Sequence, residues 1–352
     1  MSISIDIGTA EVKLIELGQV NNDPVVNKIY SKSTWDDLNT FDPEKLQKAN
    51  WVGSIKSICD DIKIIPKKVK PLIASISGKN ISIKEVTTLD MKEEELFQTL
   101  EFEAKKHIPL DGTEAVMDYH ILGKNANEID KINILLVATT KNIIKQFDSI
   151  VSESGFKNPV FDAEPIALAN SLSHNYGISE DGIDIILNIG NSTSTLVIWG
   201  KNQTFFTREL DTAGFAFIKD LMKKHGMTYS DARNTLLENG IGSFGGSNSN
   251  NQIAENSFSL EMAEKTIINN LIDDLRKSLR YYAKSNNGNS NFKRLFISGG
   301  FAELEGLREL IKDELRIETE ILNPFNNIAC DMKIETPSKY SIAIGLALRG
   351  LV

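Results

Sequence analysis

An internal repeat is the feature of this sequence that most constrains its fold. The strings DIGT at residues 6–9 and NIGN at residues 188–191 each end a β-branched strand pattern. Each leads through a turn rich in Gly, Ser and Thr into a second strand and then a third. A repeat in which both the strings and their strand–turn–strand context agree indicates two copies of one supersecondary unit. We therefore predict an α/β chain built from two duplicated lobes.

Length and charge narrow the class of protein. A chain of 352 residues is long enough for two or three domains with substantial cores. Its net charge of −9 gives no surplus of Lys and Arg for a nucleic acid, so we expect no such partner. No apolar run approaches the ~20 residues that cross a bilayer, and Asp6 interrupts the apolar start, which argues against a signal peptide. We expect a cytoplasmic protein that meets a membrane only through a partner.

The region between the two copies has a pattern of its own. Two helices and about four strands are predicted over residues 72–156, including a helix over 92–107, and this content is typical of a compact α+β unit. We expect this unit to be an insert. Beyond the second copy, we predict a largely helical region over 214–239, a polar loop over 240–252 and a long helix over 255–284.

The turns of the two copies indicate phosphate chemistry. Glycine at a hairpin tip lets backbone N–H groups approach an anion, because no Cβ blocks them. Lys13 would bring a positive charge toward the phosphates, and Asp6 would hold Mg²⁺, through water. A Gly-Gly pair after the strand 294–298 would let a nucleoside lie against flat backbone. The predicted nucleotide-binding residues are Asp6, Gly8, Thr9, Lys13, Asn188, Gly190, Asn191, Ser192, Thr193, Ser298, Gly299 and Gly300.

Five stretches resemble motifs of the superfamily of actin, Hsp70 and sugar kinases, and they occur in that superfamily's order. SIDIGTAEVK is similar to its first phosphate loop, LNIGNSTSTL to its second and LFISGGFAEL to its adenosine motif. DAEPIALANSL and SIAIGLALRGL resemble its two connecting helices. The resemblance implies a duplicated actin-like (ribonuclease H-like) ATPase fold that binds ATP or ADP with Mg²⁺ in a cleft between the lobes.

Within this superfamily, the chain resembles the PilM family of actin-like type IV pilus assembly proteins over nearly its whole length. The resemblance rests on a glutamate-rich helix that ends in a His-Ile-Pro step, the Val-x-Asp-Tyr strand after it, and the strings FFTREL and ILNPFNNI. It implies the architecture of FtsA, with an inserted α+β subdomain 1C in place of 1B. The implied subdomains are 1A at 1–69, 159–182 and 331–352, 1C at 70–158, 2A at 183–211 and 292–330, and 2B at 212–291.

The same resemblance implies a partner and a location. Proteins of the PilM family capture an N-terminal cytoplasmic peptide of the inner-membrane protein PilN in a groove between subdomains 1A and 1C, and through it they connect to PilO and the pilus motor platform. The resemblance therefore implies a cytoplasmic scaffold peripheral to the inner membrane, and it leaves a homo-oligomer open. Leu100, Phe102 and Ile108 are candidate contacts in the groove, although core packing is the more ordinary explanation of apolar residues at these positions.

Two positions depart from the superfamily's pattern. Asn188 stands where the second phosphate loop usually has an Asp that arranges Mg²⁺ and the attacking water, and an amide cannot act as a base. We therefore expect phosphate binding with weak or absent hydrolysis. The string Thr212-Ala213-Gly214 replaces a Gly-Gly pair before the 2B helix, and the remaining Gly214 is assigned to the nucleotide site.

The sequence also leaves one residue role and two functions open. Glu164 lies where the superfamily places a group that orients water, or it is a helix N-terminal acid stabilised by the helix dipole. An FtsA-like division or filament protein would carry a C-terminal amphipathic membrane helix, whereas this sequence ends at Leu351-Val352, directly after the predicted closing helix. A sugar or acetate kinase would need a general base for its acceptor, and no residue in the predicted cleft suits that role.

Overall fold

The computed structural model describes residues 1–108, 112–125, 128–201, 203–244, 266–286 and 288–351. The strands in these ranges are β1 (Ser2–Ile7), β2 (Glu11–Val20), β3 (Asp23–Ser33), β4 (Leu72–Ile76), β5 (Ser82–Leu89), β6 (Ala115–Lys124), β7 (Lys131–Thr140), β8 (Val160–Ala163), β9 (Ile183–Ile189), β10 (Ser194–Trp199), β11 (Phe206–Leu210), β12 (Phe292–Ser298) and β13 (Glu318–Ile321). The helices are α1 (Lys48–Asp61), α2 (Glu93–Lys105), α3 (Lys141–Glu153), α4 (Glu164–Tyr176), α5 (Gly214–His225), α6 (Tyr229–Asn239), α7 (Ile267–Ser285), α8 (Leu307–Leu315) and α9 (Ser341–Arg349).

Two five-stranded sheets share one topology. The sheet of the first lobe has the order β3-β2-β1-β4-β8, and the sheet of the second lobe has the order β11-β10-β9-β12-β13. In each sheet the first three strands form an antiparallel meander, and the other two strands continue the sheet in parallel with the first. The predicted repeat is therefore confirmed, and it extends beyond the hairpins to the whole sheet.

Helices α4 and α9 lie between the two sheets and join the lobes. One cluster of buried side chains contains Ile73 from the first sheet, Ile186 from the second, and Leu346 from α9. The two helices approach so closely that a Cβ on Gly345 would overlap the carbonyl oxygen of Ala167. Two backbones can meet at this distance because glycine has no side chain. The two predicted connecting helices thus pack directly against each other.

The insert is smaller than the sequence predicts. Its sheet is antiparallel with the order β5-β7-β6, and α2 covers one face of it. Strand β4, which the sequence assigns to this unit, instead pairs with β1 and β8 in the first lobe, and α3 buries Ile150 and Val151 in the first-lobe core. Every residue of β4 is buried, as suits a strand with both faces covered. The predicted start of the insert at residue 70 is therefore too early by one strand.

The second lobe also adds detail to the sequence pattern. The helical region over 214–239 consists of α5 and α6, separated at Gly226, which is left-handed. The predicted loop over 240–252 begins with a short 3-10 helix at Gly240–Phe244, and its remainder lies outside the described residues. Residues 255–265 of the predicted long helix also lie outside them, and α7 covers the rest. Among the helices of the described ranges, none combines the length and apolar character needed to span a bilayer.

Replacing Gly345 tests the contact between α4 and α9. Gly345→Ala is expected to lower the free energy of unfolding by about 1–3 kcal/mol, because the added methyl group would push the helices apart. Equilibrium urea unfolding measures this change. Gly53→Ala on the exposed side of α1 is the matched control: the new Cβ would meet nothing within 4 Å, so a gain of about 0.5–1 kcal/mol is expected. Equal effects of the two substitutions would contradict the contact.

Candidate functional site

The tips of two β-hairpins meet across the cleft between the lobes. The β1–β2 hairpin turns at Gly8, and the β9–β10 hairpin turns at Gly190. A Cβ on either glycine would lie too close to the carbonyl oxygen three residues further on, at 2.6 Å in the first hairpin and 2.7 Å in the second. Both turns therefore need glycine for the same geometric reason. The hydroxyl oxygens of Thr9 and Ser192 lie 2.8 Å apart, so the two tips are in direct contact.

The second hairpin is tied to the start of α5. The carbonyl oxygens of Gly190 and Asn191 accept hydrogen bonds from the backbone N–H groups of Gly214 and Phe215, at 3.0 and 2.7 Å. A Cβ on Gly214 would overlap the ring of Phe301. Gly214 thus allows α5 to begin close to the hairpin. The Ala213 that stands in place of the first glycine of the usual Gly-Gly pair does not prevent this.

A cavity of 230 Å³ opens beside the hairpin tips, and we refer to it as the cleft cavity. The predicted nucleotide-binding residues that line it are Asp6, Gly8, Thr9, Lys13, Asn188, Gly190, Asn191, Ser192, Thr193, Gly299 and Gly300, and Glu164 lines it as well. Gly214 and Ser298 do not line it. Ser298 is fully buried, and its hydroxyl donates to the carbonyl oxygen of Ser338 at 3.1 Å. Ser298 thus fastens the end of β12 to the segment that precedes α9.

Several residues that line the cleft cavity are absent from the sequence prediction. Tyr229, Arg233 and Leu237 lie four residues apart on α6, and Thr336 and Lys339 come from the segment before α9. A spacing of four places side chains on one face of a helix. That spacing is visible in the sequence, but nothing in the sequence shows that this face of α6 turns toward the cleft.

A buried ion pair lines the cleft cavity next to the first hairpin. Lys13 Nζ lies 2.9 Å from Asp6 Oδ2, and the two side chains are only 13% and 3% exposed. Burial disfavours the charged ammonium, but the carboxylates of Asp6 and Glu11 outweigh it and raise the pKa of Lys13. The ammonium lies 3.7 Å from the position of a Cβ on Gly8. A fixed positive charge is therefore held beside the hairpin tip.

Two further carboxyl groups approach Gly78, which lies in the turn between β4 and β5. Glu164, the first residue of α4, accepts a hydrogen bond from the Gly78 N–H at 3.3 Å. Glu209 on β11 accepts one from Thr195 Oγ1 at 3.2 Å, and its other oxygen occupies the place where a Cβ on Gly78 would lie. Burial, and then the charges of Asp6 and Glu209, raise the pKa of Glu164 to about 8. Burial raises the pKa of Glu209 to about 7.

A second cavity, of 420 Å³, lies between the first lobe and the insert, and we call it the insert groove. Strand β6, at the edge of the insert sheet, lines one side, and β8, at the edge of the first-lobe sheet, lines the other. Its apolar lining includes Val116, Phe161 and Ile166. An ion pair between Arg349 and Asp162, 2.8 Å long, contributes to its wall.

The three candidate groove residues do not line the insert groove. Leu100 is fully buried in the core of the insert, as the alternative of core packing expects. Ile108 packs partly against the same core, and Phe102 is 67% exposed on α2. The reason is the alternation of side chains along a strand: Leu136 of β7 faces α2, whereas Leu135 and its partners on the other face line the groove.

Substituting one residue of the ion pair tests how much the stability of the protein depends on the interaction between the two side chains. Lys13→Met is expected to lower the free energy of unfolding by about 3 kcal/mol, because it leaves the buried Asp6 without its counter-charge. Adding Asp6→Asn is expected to restore most of that loss. Urea unfolding of the two variants in the absence of nucleotide measures both effects. A double variant no more stable than Lys13→Met would show that the two side chains act independently.

Comparison with known proteins agrees with this geometry. The sequence profile described as type IV pilus assembly protein PilM matches residues 4–351. A chain of a PilM-PilN type IV pilus biogenesis complex superposes with a TM-score of 0.80 at 20% identity, over 100% of this chain and 98% of that chain. The ethanolamine utilization protein EutJ of Carboxydothermus hydrogenoformans superposes at 0.53 with 13% identity, over 99% and 89%. MreB5 of Spiroplasma citri, solved bound to ADP, superposes at 0.51 with 12% identity, over 98% and 94%. The predicted actin-like ATPase fold is confirmed, and the chain belongs to the PilM family of type IV pilus assembly proteins.

Proposed function

We propose that this chain is a cytoplasmic, nucleotide-binding scaffold of type IV pilus assembly, peripheral to the inner membrane, that captures the N-terminal peptide of a PilN-like protein. The observation that carries the proposal is the combination of two separate sites in one chain. A cleft with two matched glycine hairpins supports a nucleotide, and an open groove between two edge strands supports a peptide. Through the PilN-like partner, the scaffold would connect to PilO and the motor platform.

The cleft suits ATP or ADP with Mg²⁺. The hairpin glycines leave their tips open to phosphate oxygens, and Lys13 supplies a fixed positive charge. Asn191 lines the cavity, and its buried Oδ1 atom accepts no hydrogen bond from the described part of the chain. It would accept one from the water shell of Mg²⁺, which Asp6 would hold through water. MreB5, which has a similar fold, was solved bound to ADP.

Hydrolysis by this cleft is expected to be weak or absent. Asn188 is only 7% exposed and lines the cavity, but its amide cannot take a proton from an attacking water. Glu164 also lines the cavity and is the remaining candidate for orienting a water molecule. Bound ATP would then act as a switch or a structural ligand rather than as a fuel.

The insert groove suits an extended peptide. An edge strand offers unpaired backbone N–H and C=O groups, so a peptide that adds a strand gains main-chain hydrogen bonds, while pockets select its side chains. Strands β6 and β8 both present such edges, and Val116, Phe161 and Ile166 offer apolar contacts. The protein that superposes at a TM-score of 0.80 comes from a complex with PilN.

Filling the cleft cavity tests the nucleotide site. Gly300 lines the cavity, and a Cβ at this position would meet nothing within 4 Å, so Gly300→Leu is expected to fold normally. We expect calorimetry with Mg²⁺ to show ATP binding by the unmodified chain and at least about tenfold weaker binding by Gly300→Leu, because the new side chain would occupy the space of the nucleoside. Gly242→Leu is the matched control, since its Cβ would also meet nothing and it lies outside the cavity. No binding by the unmodified chain would refute the nucleotide site.

A charge placed in the insert groove tests the peptide site. A peptide that copies the N-terminal cytoplasmic segment of a PilN-like protein is expected to bind. Val116→Asp is expected to weaken that binding about tenfold or more, because a carboxylate would be covered by the peptide without a partner. Ile121→Asp is the control: it lies on the same strand and is 48% exposed, but it does not line the groove. Fluorescence anisotropy measures both, and equal losses would place the peptide elsewhere.

A further inference from the structure

Glu209 belongs to the FFTREL string, which has no role in the nucleotide site described so far. The pairing of strands puts it in one row with two other polar residues: Glu209 lies opposite Thr195, and Thr195 lies opposite Asn188. Directly opposed residues project from the same face of a sheet. The second lobe therefore provides a carboxyl group two strands away from Asn188, where the superfamily's Asp is missing. The Glu209 carboxyl contacts Gly78, which lies just before the insert. The backbone N–H group of Gly78 also donates a hydrogen bond to the Glu164 carboxyl.

The charged groups around this carboxyl pair come from several elements. Asp6 on β1 and Lys13 on β2 form their own ion pair, and Lys79 in the turn after β4 acts on Glu209. Lys13 exerts only a minor influence on Glu164, smaller than the opposing influence of Asp6 and Glu209. Two ionised carboxylates on either side of one glycine repel each other, and burial strengthens that repulsion. Burial of both groups, together with the charge of Glu209 acting on Glu164, favours the protonated form of the pair.

We propose that Glu209 is a positioning residue that sets the preference of the cleft for ATP over ADP, because it keeps a proton on the carboxyl pair that Glu164 presents to the terminal phosphate. The inference rests on the proposed nucleotide site. Glu164 lines the cavity, and it lies close enough to Asp6 and Lys13, beside the first hairpin tip, for their charges to act on it. Its own charge would therefore act most strongly on a phosphate held at that tip. Glu209 does not line the cavity and acts through Glu164 and Gly78.

The sign of the pH dependence follows from the two carboxyl groups. The pKa of Glu209 lies at about 7 and that of Glu164 at about 8, both raised first of all by burial. Below these values both groups are neutral, and the γ-phosphate of ATP meets no added negative charge. Above them both groups are ionised and repel it. The preference for ATP over ADP is therefore full at the acid end and declines as the pH rises through these values.

The test is the ratio of the affinities for ATP and ADP as a function of pH. Calorimetry of the full chain with Mg²⁺, from about pH 6 to about pH 9, brackets both groups. We expect the ratio to fall about tenfold or more across this range in the unmodified chain. In Glu209→Gln the affinity ratio should fall about half as steeply with pH, and the fall should begin at lower pH. The reason is that Glu164 loses the neighbouring charge that raises its pKa. In the double variant with Glu164→Gln the ratio should not change with pH.

Glu85→Gln is the matched control for these variants. Glu85 is also half-buried, and burial raises its pKa, but it lies on β5 of the insert and outside the cleft cavity. It should keep the profile of the unmodified chain. A Glu209→Gln profile identical to that of the unmodified chain would overturn the inference and leave the nucleotide site intact. Failure of both nucleotides to bind at every pH would overturn the nucleotide site itself.

Infrared spectroscopy gives a second measurement that needs no nucleotide. A protonated carboxyl has its own C=O band, and the unmodified chain should show such a band at about pH 7. The band should be lost in the variant that combines Glu164→Gln with Glu209→Gln and kept in Glu85→Gln. A band that survives the double substitution would come from another carboxyl group and would contradict the shared proton.

Discussion

The backbone contact between α4 and α9 sets the distance between the two lobes. Each helix belongs to one repeat of the fold, and the pair packs between the two sheets with Gly345 against Ala167. The hairpins extend from those same sheets and meet at Thr9 and Ser192. A shift at the helix crossing would therefore be transmitted through two rigid sheets to the cleft, because close-packed interiors do not absorb displacement locally. The width of the cleft is therefore set by the contact between α4 and α9, which lies outside the cleft.

The cleft cavity brings acidic and basic side chains together: Asp6, Glu11 and Glu164 line it, and so do Lys13, Arg233 and Lys339. Lys13 is already bonded to Asp6, and Glu164 and Glu209 add carboxyl groups nearby. Phosphates at the hairpin tips would meet backbone N–H groups, the ammonium group of Lys13 and the bound cation, whose charge can be the largest in such a site. For the ligands proposed above, nucleotide binding would therefore respond to protonation and to Mg²⁺, whereas peptide binding would depend on apolar contacts and strand edges.

The parts of the fold that sequence could predict are those with a strong local signal. The two glycine hairpins follow from residues 6–9 and 188–191, and the connecting helices follow from their resemblance. Strand β8 has only four residues, too few for a recognisable pattern, and β4 was assigned to the wrong sheet because periodicity does not identify a strand's neighbours. Periodicity therefore locates a strand more readily than it identifies the sheet to which the strand belongs.

The site shows the same division between local and long-range information. Most hairpin residues line the cavity as predicted, because their spacing along the chain fixes their spacing in the turn. Glu209 and Arg233 reach the site region only through the packing of β11 and α6, which no short string encodes. Leu100 shows the converse limit: an apolar residue on a helix suits a groove or a core, and the fold places this one in the core of the insert.

The turn at residues 77–80 joins the two sites by a very short path. Ser77 lines the cleft cavity, while Ile76 and Ile81, on either side of the turn, line the insert groove. Surface loops usually tolerate insertions and deletions, because nothing else depends on their length. Here an extra residue would move β5 relative to β4 and separate the Gly78 amide from Glu164. An insertion or deletion in this turn is therefore expected to disturb both cavities at once.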